Sequence, residues 1–161
     1  MFKLFKKQSK FEKLVSPVRG RLIPITDVSD QMFAGKVMGD GFAIVPNDDQ
    51  IYSPVSGEIK SIFKTKHAIT IETTAGLEVL LHFGVDTVEL KGAPFKLAVE
   101  EGQKIEPDTF IGTMDRAMVI ANKKSTEIIV VFTNMDKIKE LPLIEPQEIK
   151  HGTEIGNIQL N

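Results

Sequence analysis

From Leu14 onward the apolar positions fall in short runs cut by Gly, Pro, Asp and Asn. The runs are "VRGRLIPI", "FAIVP", "GEIKSIF", "AITIET", "LEVLLHFG", "TFIGTM" and "TEIIVVF". They are β-branched or aromatic and bounded by turn residues, which predicts an all-β protein, an antiparallel β-sandwich or barrel. "EVLLHFG" alternates poorly, so its strand is expected to be buried on both faces. "VMGDGFAI" predicts a tight turn at Gly39, Asp40 and Gly41. Two short helices are expected, one over "DRAMVIAN" capped by Asp115 and one over "NMDKIKEL" capped by Asn134.

The first eleven residues, "MFKLFKKQSKF", break this pattern. At about 100° per residue, Lys3, Lys6, Lys7 and Lys10 share one side of a helix, and Phe2, Leu4, Phe5 and Phe11 take the other. Residues 1–13 are therefore read as a basic amphipathic segment suited to an anionic membrane surface, and residues 14–161 as one domain. Within that domain "SPVRGRLIPI" from Ser16 echoes "SPVSGEIKSI" from Ser53. "EEGQKIEPDTFIG" has the same rhythm of a glycine turn leading into a strand. The echo predicts a sandwich of related hairpin-like halves. Biotin- and lipoyl-carrying domains resemble these phrases, but they need a modifiable lysine at an exposed hairpin tip. Lys60 and Lys91 lack that setting.

Composition narrows the chemistry. The chain has 161 residues, enough for one domain with a real core. A net charge of −2 gives no field to hold nucleic acid. With no cysteine, disulfides, thiolate metal sites and cysteine nucleophiles are excluded. No apolar run approaches the roughly 20 residues of a membrane-spanning helix, and no secretory signal is evident, so a cytoplasmic protein is expected.

Three histidines are present. His151 lies in "KHGTEIG", a polar turn. His67 heads "HAITIE" and His82 ends "LEVLLHF". With "TAG" as the turn between them, these stretches form a hairpin that brings the two rings together. A buried His82 needs a partner, and the backbone carbonyl of Gly84 is free to turn towards it. A ring held through one nitrogen has a fixed tautomer and leaves the other nitrogen as a nucleophile. Thr65 is placed to hydrogen-bond His67. Zinc is the rival reading, because His82-x-x-x-Asp86 has ligand-like spacing and His67 offers a third donor. Zinc peptidases on related β folds also carry a His-x-His pair, which this chain lacks. No phosphate-binding loop and no nucleophile elbow is found.

The stretch "GLEVLLHFGVDTVELKG", Gly76 to Gly92, resembles the phosphorylation-site signature of the glucose-type IIA component of the bacterial sugar phosphotransferase system. "VSDQMFAGKVMGDGFAIVP", "SPVSGEIKSIFKTKHAITIET", "EEGQKIEPDTFIG" and "STEIIVVFTNMDKIKEL" follow in the family's order, and the resemblance covers about Leu14 to Leu160. It implies a duplicated antiparallel sandwich and a phosphoryl relay. The phosphocarrier HPr would donate, His82 would accept on Nε2, and the IIB domain of a sugar permease would receive. His67 would steady the phosphoryl group, Thr65 would orient His67, and the Gly84 carbonyl would orient His82. Met32, Phe33, Val37, Met38 and Phe63 would form an apolar partner face, with Asp30 and Asp86 anchoring partner arginines. No obligatory cofactor is implied; zinc at His67 and His82 would belong to a partner interface. Regulated enzymes or transporters are further partners in such a family, and a monomer is expected. Gln31 interrupts the family's apolar run, and Ile69 stands where many members have an aromatic.

Overall fold

The computed structural model describes residues 10–161, and residues 1–9 lie outside them. The protein is a stack of antiparallel sheets. The strands are β1 (Phe11–Val15), β2 (Gly20–Pro24), β3 (Asp40–Pro46), β4 (Gln50–Tyr52), β5 (Gly57–Ile62), β6 (Ala68–Thr73), β7 (Glu78–Val85), β8 (Phe95–Leu97), β9 (Lys104–Ile105), β10 (Phe110–Met114), β11 (Ser125–Phe132), β12 (Ile138–Glu140), β13 (Gln147–Ile149) and β14 (Glu154–Leu160). Eight form one sheet in the order β13-β2-β3-β11-β7-β6-β5-β9, and two three-stranded sheets, β1-β14-β12 and β4-β10-β8, complete the fold.

That order has a centre. The strands β13-β2-β3-β11 are mirrored by β9-β5-β6-β7, and β1-β14-β12 by β4-β10-β8. The second unit, β4 to β10, is threaded into the connection between β3 and β11, which pair as β6 and β7 do. The hydrogen bonds repeat across the pseudo-twofold: Val15 donates its N–H to the Pro54 carbonyl at 3.0 Å, and Tyr52 to Pro17 at 2.7 Å. Ser16 Oγ donates to Val18 O at 2.8 Å, and Ser53 Oγ to Val55 O at 2.6 Å. The repeated Ser-Pro-Val-x-Gly is thus the start of each unit. Its glycine is fixed by packing, since a Cβ on Gly20 would stand 2.1 Å from Val45 O and one on Gly57 2.3 Å from Glu72 O. A second echo joins "IEPDTFIG" (105–112) to "IKHGTEIG" (149–156). In both, the fourth residue takes a left-handed turn, Asp108 at φ +69° and Gly152 at φ +77°.

Between the large sheet and the small ones lies the main core, with Leu14, Leu22, Phe42, Leu81, Phe83, Val130 and Phe132 among its members. β7 is buried almost throughout. Its alternate residues reach the other face, where Leu80, Ala68, Ile129, Val131, Ile25 and Phe33 form a smaller cluster. The segment after β2 covers it, through a 3-10 turn (Ile25–Asp27) and the one-turn helix α1 (Gln31–Ala34). His82 lies on this covered face, between Ala68 on β6 and Ile129 on β11.

The helix α2 (Arg116–Ala121) forms as expected, with Asp115 accepting from Met118 N at 3.1 Å. Three local expectations are corrected. "NMDKIKEL" is a 3-10 turn (Met135–Lys137) running into β12, not a helix. The Asn134 side chain does not cap it; it accepts from Glu78 N at 2.8 Å and donates to Gly76 O at 2.9 Å, tying down the β6–β7 turn. The chain does not turn at Gly39, Asp40 and Gly41, because β3 already begins there and Gly41 lies flat against Val130 O. Reversal comes earlier, just after α1. Finally, Phe11, expected on the apolar side of the N-terminal helix, is a strand residue paired with β14, as Glu12 and Lys13 are. The rest of that predicted amphipathic helix, apart from Lys10, falls outside the described residues.

Candidate functional site

The hairpin β6–β7 sets the site. Ala68 pairs with His82, and Phe83 N donates to His67 O at 2.7 Å, so the two histidines are neighbours across one strand step. Alanine at position 68 matters, for it is fully buried and leaves the space above it to the rings. The ring centroids of His67 and His82 are 5.2 Å apart with planes at 80°. Phe33 packs on His82 at 5.0 Å, and Phe63 meets His67 edge-on at 5.2 Å.

Each ring is anchored through Nδ1. His82 Nδ1 lies 2.6 Å from Gly84 O, and His67 Nδ1 lies 2.5 Å from Thr65 Oγ1. A carbonyl only accepts, so neutral His82 carries its proton on Nδ1 and its lone pair on Nε2. Gly84 turns its carbonyl to the ring by adopting φ +78°. A Cβ there would stand 2.5 Å from Thr87 Cγ2 and 2.7 Å from Ser125 O, so only glycine fits. Thr87 is buried and donates Oγ1–H to Phe83 O at 2.5 Å, which braces the same bend.

Burial keeps both rings neutral. Desolvation pulls His82 down to about 4, helped by the neighbouring His67 and opposed by the Gly84 carbonyl and Asp30. Desolvation also lowers His67. At neutral pH His82 Nε2 is therefore a free lone pair in a partly open, largely apolar setting.

Around the histidines, Met32, Val37, Met38 and Phe63 are exposed, Val37 to 67%. Of these, Met38 and Phe63 line a groove of about 440 Å³ with Leu80 and Thr70. Phe33, expected on this partner face, is buried beneath it in the smaller cluster, because α1 turns its ring inward. Asp30 caps α1 by accepting from Met32 N at 2.7 Å. Asp86 is exposed and takes a left-handed conformation at φ +60°. Val88, also exposed and two residues on, was not singled out by the sequence. Among the described residues no three His, Cys, Asp or Glu side chains converge to hold a metal, so the His67, His82 and Asp86 trio does not assemble as a zinc site. The histidine pair on its own supplies two nitrogen donors. His151 lies elsewhere, stacked on Tyr52 at 3.9 Å and paired with Asp108 at 2.7 Å.

A sequence profile of the family described as "phosphoenolpyruvate-dependent sugar phosphotransferase system, EIIA 1" matches residues 12–138. The chain is 41% identical over 141 residues to a PTS system glucose-specific EIIA component of Halalkalibacterium halodurans, covering 88% of this chain and 82% of that one. It is 44% identical over 149 residues to a glucose-specific EIICBA component of Streptococcus pneumoniae, covering 92% of this chain but spanning only 20% of that longer protein. The structure matches glucose permease IIA from Mycoplasma capricolum with a TM-score of 0.82 and 33% identity, over 98% of both chains. Among the described residues no helix is long and apolar enough to cross a membrane. The paired strands, the glycine-held histidine and these matches place the chain in the EIIA 1 family of the phosphoenolpyruvate-dependent sugar phosphotransferase system.

Proposed function

We propose that this protein relays a phosphoryl group through His82, taking it from phosphohistidine on HPr and passing it to a IIB domain of a glucose-type permease. The observation that carries this reading is the geometry of two neutral histidines, set nearly at right angles with both Nδ1 atoms occupied. In the first transfer His82 Nε2 attacks phosphorus in line. A P–N bond forms there as the donor's P–N bond breaks, and no proton moves. In the second, a IIB cysteine thiolate attacks and the electron pair returns to Nε2. His82 needs no general base, since burial already keeps its lone pair free.

Thr65 in this reading donates to His67 Nδ1, which puts the His67 proton on Nε2, where it donates to a phosphoryl oxygen. Phosphoryl transfer asks the protein for positioning and electrostatic stabilisation. The Gly84 carbonyl gains strength as a partner when the phosphorylated ring becomes more positive. Met32, Val37, Met38 and Phe63 make the exchangeable face, and methionine suits a surface that accepts more than one partner. Asp30 and Asp86 meet basic side chains of those partners.

The test uses labelled phosphoenolpyruvate, the general enzyme of the system and HPr. Wild type is expected to take acid-labile, base-stable label and His82→Ala none. His67→Ala is expected to accept label but pass it on about 10²- to 10³-fold more slowly, as for loss of one stabilising donor. A folded wild-type protein that takes no label overturns the relay.

A further inference from the structure

We infer that Glu127 is a positioning residue that locks the exposed docking face and the His82 loop into one rigid unit. This rests on the relay reading above and deepens it. Glu127 is 7% exposed, and among the described residues it is the only buried carboxylate. Its oxygens accept from Ser29 N at 3.0 Å, from Ser29 Oγ at 2.6 Å and from Ser125 Oγ. A buried carboxylate with three donors and no role in the relay chemistry requires its own explanation.

Its position supplies one. Ser29 directly precedes Asp30, the cap of α1, and α1 carries Met32 and Phe33. A single helical turn does not hold itself together in water. Val28 and Phe33 seat the segment in the smaller cluster, but Met32, Val37 and Met38 are exposed and add no packing of their own, so the face also needs a polar anchor. The two bonds from Ser29 to Glu127 fix the start of this segment to β11. On the other side, Ser125 pairs with Val85 at the bulge between Ser125 and Ile128. The Ser125 carbonyl crowds position 84 together with Thr87, standing 2.7 Å from where a Cβ would be. One carboxylate therefore ties the docking segment to the backbone that aims the Gly84 carbonyl at His82. A face ordered before contact lets a partner bind without bearing the entropy of ordering it. Thr87 braces the Gly84 bend independently through Phe83 O, so loss of the Glu127 anchor weakens docking and leaves the chemical step alone.

Glu127→Gln tests this while keeping size and shape. The amide has one acceptor oxygen, and its NH₂ opposes the Ser29 N–H. Transfer from phospho-HPr is measured over a range of HPr concentrations for wild type, Ser29→Ala, Glu127→Gln and the double variant. Amide hydrogen exchange is followed on the same full-length proteins. Ser53→Ala, a buried serine whose hydroxyl bonds only within its own turn, to Val55, is the control for a merely structural loss. Glu127→Gln is expected to raise KM about tenfold with kcat within about twofold, and amides 29–33 to exchange about tenfold faster while Leu80 and Leu81 stay protected. Adding Ser29→Ala to Glu127→Gln should raise KM no further, because both act through one contact. An unchanged KM, a fall in kcat alone, or a KM change matched by Ser53→Ala overturns the inference. If wild type takes no label, the relay itself fails, and unchanged exchange at 29–33 then overturns the anchor separately.

Discussion

The two halves of this protein use equivalent sets of seven strands, yet only one carries the histidine pair. In the half from β4 to β10, "EVLLHF" opens β7 and carries His82 as its fifth residue. In the other, "EIIVVF" ends β11, and Val131 stands at the matching place. The partners match as well: His82 pairs with Ala68 and Val131 with Gly41. Beyond that point the halves part. Gly84 bends the first chain so that its carbonyl meets the ring, whereas the second runs on through Thr133 to Asn134, which serves the β6–β7 turn. His67 and Thr65 sit in the short link between β5 and β6, while the link between β2 and β3 has grown into α1 and its flanks. That longer link folds over the first half's histidine through Phe33. One copy supplies the paired histidines and the other their cover, so a site has been grafted onto a symmetric frame without disturbing it.

The sharpest way to break this comparison is to move the histidine. In the His82→Ala background, Val131→His is expected to take no label, leaving transfer down by more than about 10³-fold. Val131 is fully buried and has neither the bent glycine nor a second ring, so a histidine there is sealed from a partner. Label on such a variant would show that the frame alone suffices.

A smaller effect is read from pH. His82 falls from the ordinary 6.5 to about 4 in the folded protein, so the unfolded chain binds more protons between those values. Its contribution is full above about pH 6.5 and is lost as pH falls towards 4. Discounted for a partly open ring, this is about 2 kcal/mol. Urea denaturation across that range should show a steeper loss for wild type than for His82→Ala. Valine at 131 gives its half no such slope, so equal slopes would mean that burial does not set the charge of His82.

The smallest prediction concerns what the halves share. Ser16 and Ser53 are both fully buried and bond the carbonyl two residues on. Each alanine substitution should destabilise by about 1–2 kcal/mol, measured by the same denaturation, and the two values should agree. A clear inequality would mean that the repeat is one of shape and not of energetics.

Much of this was legible along the chain. The β-branched runs located most of the long strands, and "TAG" set a hairpin register that placed His67 beside His82, because strand pairing depends on local alternation and a nearby turn. The repeated Ser-Pro-Val-x-Gly announced the duplication for the same reason, since each copy is a contiguous phrase. "NMDKIKEL" misled because its helical spacing is local, whereas Ile138 pairs with Leu160 twenty-two residues on. Glu127 gave no signal either, in a strand where the alternation is already irregular.

By itself, then, the sequence determined the strand content, the paired histidines, the glycine beside them and the family signature, all of which depend on neighbours in the chain. The tertiary structure alone decided that one half is threaded through the other, that Phe33 turns inward and that Glu127 gathers Ser29 and Ser125. The longest of these contacts, Ser29 with Glu127, joins residues 98 apart, and such closures are repaid only by the finished core.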